Sequence, residues 1–461
     1  MTRWICSAVL MASVFAFAAP ADDLTSTPAG KRVLAYITAF NSGDEAAMRA
    51  FYTENIPDSL LAVRSVDDRM QVYRRMHGDI GHMDLERVLK NGDAQVSVLI
   101  KGQSGKRFRV DFPTESVAPH KILGIRLMPA EESEPQEAAN QPPLPEQAAL
   151  DSISAMLQRQ TAADAFSGVV LIARRGEPLL RKAYGLADRE HNVPNTPDTK
   201  FNLGSIGKSF TQAAIQRLIA DGKLSASDTL GKFLPDYPNA DARRKVTVQH
   251  LLDHRGGISD FFGEEYVNTP RDRIRSLQDY LPLFEHKPLE FEPGTQEQYS
   301  NGGYVLLGLI IEKVSGKNYF DFVKQTVFDP SGMKDSGWYF SDEIVPNRAV
   351  GYTHRWNSLR EEDSPELRSN ILAQPGRGSS AGGGYSTADD LLKYAMATGS
   401  GKVLSRDGGQ MGIAGGSPGC NAVLESALPG GYTAIILCNL DPPVAEQTAR
   451  QIRNYLNRIK A

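Results

Sequence analysis

The chain has 461 residues, of which 41% are hydrophobic and 23% charged, and its formal net charge is −4. That balance fits a soluble globular protein with material for two or three domains, and with no basic block it argues against a nucleic-acid partner. Eight histidines and three cysteines fall in no His-x-His, His-Glu-x-x-His or Cys-x-x-Cys spacing, so neither a metal nor a cofactor is expected.

Arg3 precedes an apolar run from Trp4 to Ala19, which ends in the small residues Ala19-Pro-Ala21. A positive start, a short hydrophobic stretch and a cleavable small-residue site read as an export signal over residues 1–21. The run is too short for a comfortable membrane span, and no later run reaches the ~20 residues a span needs. A periplasmic or secreted protein without a stable membrane span is expected.

Residues 23–129 read as a first α+β unit. Apolar positions Val33, Leu34, Ile37, Phe40, then Met48, Phe51 and Tyr52, recur at helical spacing around a turn at Asn41-Ser-Gly-Asp44. Three alternating strands follow, on Val96/Val98/Ile100, Phe108/Val110/Phe112 and Leu123/Ile125/Leu127. The run Ala35-Tyr-Ile-Thr-Ala-Phe-Asn-Ser-Gly-Asp44 and this order resemble the NTF2-like cone, which implies a docking or small-molecule module. Residues 130–148 are rich in Glu and Pro without apolar period and read as a linker.

From residue 149 to 461 the pattern is one large unit. A helix near Leu150–Gln160 leads to strands at Gly168–Ala173 and Pro178–Tyr184. A mostly helical middle follows, then late strands at Asn421–Glu425 and Tyr432–Leu437 and an amphipathic helix from Val444 to Ile459. Strands at both ends with helices between them predict one antiparallel sheet built from the two termini plus a helical lobe, with a cleft at their junction. Cys420 and Cys438 fall at the open end of the late hairpin, either paired or as two small buried hydrophobes.

Within this unit Ser205-Ile-Gly-Lys208 opens an apolar-periodic stretch. Residues at i and i+3 share a helix face about 5–6 Å apart at Cβ, so the lysine amine can reach and activate the serine hydroxyl. Ser331-Gly-Met-Lys334 has the same spacing but follows Asp329-Pro330 in a turn. Tyr299-Ser-Asn301, between the turn Glu292-Pro-Gly294 and an apolar helix, supplies a phenol able to act as a base beside a lysine. Asn301 there can orient the lysine or a substrate amide. Gly412-Ile-Ala-Gly-Gly-Ser-Pro-Gly419 lets a strand backbone approach a ligand, and the N–H groups of Ser205 and Gly416 form a candidate two-donor oxyanion hole.

These segments resemble the serine β-lactamase-related family, in its class C branch of β-lactamases, DD-peptidases, D-aminopeptidases and esterases. Leu251-Leu-Asp-His-Arg-Gly-Gly-Ile258, Gly303-Tyr-Val-Leu-Leu-Gly-Leu-Ile-Ile-Glu-Lys-Val-Ser-Gly316, Phe328-Asp-Pro-Ser-Gly-Met333 and Ala381-Gly-Gly-Gly-Tyr-Ser-Thr-Ala-Asp389 carry the likeness further. It implies a two-lobed α/β hydrolase with Ser205 as nucleophile, Lys208 and Tyr299 as the base pair, and Asn301, Ile413 and Gly415 at substrate-contacting positions. Two departures stand out. The third motif begins with Ile413 where the family usually has lysine or histidine, and only 26 positions separate Ser386 from Gly412. An aliphatic side chain cannot grip a substrate carboxylate. The expected activity is therefore hydrolysis of a small-molecule or peptide ester or amide. The alternatives are a penicillin-recognising peptidase or β-lactamase, and a catalytically weak binding protein that keeps the fold.

Overall fold

The computed structural model describes residues 24–63, 65–103, 105–129, 142–355, 366–398 and 412–459. The chain forms two compact units that divide near residue 139. The segment read as an export signal, and most of the linker, lie outside the described residues.

In the first unit α1 (Pro28–Asn41) begins with Thr27 capping the Gly30 N–H, and α2 (Glu45–Asn55) begins with Asp44 capping Ala46. A third helix, α3 (Val66–Ile80), opens on a capping box formed by Ser65 and Asp68. The helices pack on an antiparallel meander of β1 (Asp84–Gly92), β2 (Gln95–Lys101), β3 (Arg107–Pro113) and β4 (Arg126–Pro129), in that order. The core is aromatic, with the Tyr36 ring edge-on to Phe51 and Phe112 at 5.4 and 5.3 Å.

Two expectations are corrected in this unit. A fourth strand, β1, exists where three were expected: its pairing slips between Leu85/Arg87 and between Val88/Lys90, and two bulges erase the alternation that marks a strand. The last strand is shorter than expected, holding Leu127 but not Leu123, which is exposed.

The second unit opens with α4 (Glu146–Ala162), which starts three residues inside the stretch read as linker. Pro145 sets its entry and Ala149 and Leu150 are already buried. The strands β5 (Gly168–Arg174) and β6 (Glu177–Tyr184) follow. The helical lobe contributes α5 (Gly207–Ala220) and α6 (Asn301–Ser315). The chain returns as β7 (Gly412–Ser417), β8 (Cys420–Leu428) and β9 (Tyr432–Cys438), and ends in α7 (Val444–Leu456).

The five strands form one sheet in the order β7-β8-β9-β5-β6, every described pair antiparallel. The predicted sheet from both termini is thus observed. Its faces obey period two. Val169, Leu171, Ile435 and Leu437 join the core under the helical lobe. Val170, Ile172, Ala434 and Ile436 join a second core beneath α4 and α7. Coverage on both sides explains why these strands read as continuous apolar runs. Cys420 and Cys438 are both free and buried, with the Cys420 thiol donating to the Asn202 carbonyl at 2.9 Å. Among the described residues no helix is long and apolar enough to cross a membrane.

Candidate active site

Ser205 lies in a single 3-10 turn, Gly204–Ile206, that feeds directly into α5. Its hydroxyl caps no backbone N–H. It faces the Tyr299 hydroxyl at 2.7 Å and receives a hydrogen bond from Lys208 Nζ at 3.2 Å. The capping role common for serine at such a position is filled elsewhere, at α6, where Ser300 Oγ accepts from the Gly303 N–H at 3.0 Å.

Lys208 is buried, and its amine makes two further contacts, with Asn301 Oδ1 at 2.6 Å and with the Ala381 carbonyl at 2.5 Å. The Asn301 amide is held at its other end, its Nδ2 and its backbone N–H donating to Asp260 Oδ2 at 2.8 and 3.1 Å. This fixes which end of the amide meets the lysine. Burial pushes the Lys208 amine down from its ordinary 10.5 to about 7, against a smaller opposing pull from the Asp260 charge. Near neutral pH a large share of the amine is therefore unprotonated. Its two N–H groups then satisfy Asn301 Oδ1 and the Ala381 carbonyl, which can only accept. The lone pair is left facing Ser205 Oγ, the one neighbour of the three that carries a proton to give.

Tyr299 lines the cleft and is partly exposed, with its ring 4.7 Å from Lys208 Nζ. His254 backs it, stacked at 4.6 Å on Tyr299 and at 4.9 Å on Tyr304. The imidazole Nδ1 accepts from the Ser300 N–H at 3.1 Å, and the residue sits at φ +56, a left-handed conformation rare for a side chain of this size. A buried ring, carried on a left-handed backbone position, thus backs the loop that presents the phenol.

The third segment arrives as the edge strand β7. A Cβ on Gly415 would fall 2.0 Å from the Leu203 carbonyl oxygen and 2.7 Å from the Ser205 nitrogen, and one on Gly204 would fall 2.6 Å from the Gly416 nitrogen. Only glycine permits this approach, which brings the Ser205 and Gly416 backbones together at the rim of the cleft. Ile413 shares the strand face of Gly415 but packs against the core of the helical lobe, and it is not among the residues lining the cleft.

Ser205, Lys208, Tyr299 and Asn301, scattered over nearly a hundred positions, thus meet within hydrogen-bond range. Asp260 and His254 were not singled out in the sequence reading. The nearest signal was the motif Leu251–Ile258, which contains His254 and ends two residues before Asp260. Neither is near the nucleophile in sequence, and only the fold reveals their contacts.

Residues 153–448 match the Beta-lactamase family. The chain belongs to that family. It is 32% identical over 268 residues to the putative penicillin-binding protein PbpX of Bacillus subtilis, covering 58% of this chain and 64% of that protein. Esterase EstB of Burkholderia gladioli is 32% identical over 253 residues, covering 49% of this chain and 63% of the esterase. The chain thus spans less than two thirds of the length of these curated relatives. A penicillin-binding protein from Bacillus halodurans superposes with a TM-score of 0.57 at 28% identity, over 66% of this chain and 98% of that structure. The D-amino acid amidase of Ochrobactrum anthropi, at 22% identity and a TM-score of 0.56, shares the fold. The two-lobed β-lactamase/DD-peptidase-like architecture expected from the sequence is the one observed.

Proposed function

We propose that the protein is an exported hydrolase that cleaves an ester or amide through an acyl-enzyme on Ser205. The observation that carries this reading is the Ser205 hydroxyl held between a buried amine that ionises near neutrality and an accessible phenol. Lys208 Nζ takes the Ser205 proton as Oγ attacks the carbonyl carbon. The oxyanion accepts hydrogen bonds from the Ser205 and Gly416 N–H groups. As the tetrahedral adduct collapses, the leaving oxygen or nitrogen takes a proton through the Tyr299 hydroxyl on the open side of the cleft. A water then attacks the ester carbonyl on Ser205, giving up one proton to the same pair, which returns it to the departing Ser205 Oγ as the acid leaves and the free enzyme is restored. Asn301 and Asp260 act through Lys208, as positioning residues. The export part of the proposal rests on the sequence pattern over residues 1–21, and recovery of the mature chain with Met1 retained would overturn it.

A fluorophosphonate should label the protein stoichiometrically, and Ser205→Ala should lose both labelling and at least about a thousandfold of ester turnover. Equal labelling of the two proteins would overturn the assignment. Relatives that carry the name penicillin-binding protein favour a second reading, acylation by a penicillin. Stable labelling by a fluorescent penicillin together with slow ester turnover would favour it over the first.

A further inference from the structure

The cleft beside Ser205 has a volume of about 390 Å³, enough for a drug-sized molecule. Among the described residues that line it there is no Asp, Glu, Lys, Arg or His. One wall is a cluster of Phe261, Phe262, Tyr266 and Tyr280, with ring centroids 4.4 to 5.8 Å apart. The Phe262 ring is 44% exposed, an apolar surface left open to solvent. Arg271 lies behind this wall, its guanidinium 3.7 Å over the Tyr266 ring. It donates to the Tyr266 and Thr269 carbonyls, so its charge is committed to the loop and it does not line the cleft. The polar side chains among the described lining residues are neutral. Asn202 Nδ2 donates to Gln374 Oε1 at 3.4 Å, and Gln374 Nε2 donates to Ser417 Oγ at 3.3 Å.

A free carboxylate entering this space would shed its water and meet no cation among the described lining residues, while an aromatic-sized group would cover the Phe262 side chain, which is now exposed. We infer that the site takes uncharged esters or amides bearing an aromatic-sized apolar group beside the scissile carbonyl, and discriminates against substrates with a free carboxylate at that end. The inference rests on the acyl-transfer reading above and narrows it to a substrate class.

The test compares, on the purified full chain, mono-p-nitrophenyl glutarate with its methyl ester, and p-nitrophenyl phenylacetate with p-nitrophenyl acetate. The methyl ester should exceed the free acid in kcat/KM by roughly 50-fold. Phe262→Ala should narrow the preference for phenylacetyl over acetyl by roughly tenfold. Comparable kcat/KM for the acid and its methyl ester, or an aromatic preference untouched in Phe262→Ala, would overturn the inference. A fluorophosphonate run on the same preparation separates the two claims. Labelled Ser205 with no charge discrimination overturns this inference alone, whereas unlabelled Ser205 overturns it together with the acyl-transfer reading.

Discussion

At Ser205 the chain makes one tight turn and runs on as a helix of 14 residues, so that Lys208 is carried under the tyrosine loop and buried. At Ser331 the helical turn Asp329–Ser331 stops at Gly332, which is left-handed at φ +72, and Lys334 is left exposed. The two segments have the same Ser-x-x-Lys spacing. In the first, helix propagation places the amine on the serine's own face, and desolvation strips it of its proton preference. In the second, the backbone reverses before the lysine is reached, and the side chain is left in solvent. Spacing offers the encounter, and burial turns it into chemistry.

The most severe way to break this contrast is to remove each amine in turn. Lys208→Met should lower kcat/KM at pH 8 by roughly a thousandfold. The same change should also leave a mark on stability. Between about 7 and 10.5 the unfolded chain holds a proton on Lys208 that the folded chain has released, so wild-type stability rises with pH across that window. Unfolding free energies, taken as Lys208→Met minus wild type, should therefore grow by about 1.4 kcal/mol for each pH unit descended from 10 to 7. A difference that stays flat with pH in denaturant titrations would mean the amine is not proton-poor in the fold.

A milder change sharpens the contrast. Asp260 opposes the effect of burial on Lys208, so Asp260→Asn should let the amine release its proton more readily while its carbonyl still accepts from Asn301. The acid limb of the kcat/KM profile, which should fall as pH drops through about 7 in the wild type, should move to lower pH. An unmoved limb with reduced kcat would assign Asp260 a purely structural part. The smallest effect belongs to the other segment. Lys334→Ala should leave turnover within about twofold and stability within about 0.5 kcal/mol, and a loss approaching that of Lys208→Met would erase the distinction between the two.

Legibility in the sequence followed the physics of each part. The sheet built from both termini was readable because β5 and β9, covered on both faces, are apolar at nearly every position. The strand β1 was not, because its bulges shift the register that a period-two pattern depends on. Ser205, Lys208 and Tyr299 stood out because each begins or precedes an apolar helix after a glycine or a turn. Asp260 was silent, since a lone aspartate in a loop gains meaning only from the amide it holds, and that amide belongs to Asn301, forty-one residues away. His254 was equally silent, because stacking between two tyrosines has no periodicity to announce it.

The strand whose glycines press against the nucleophile sits at the outer edge of the sheet, beyond β8 and β9, and all three come from residues after 411. A polypeptide emerging from the ribosome would therefore carry the alcohol, amine and phenol well before the Gly416 N–H, the second candidate donor to a negatively charged oxygen, has been made.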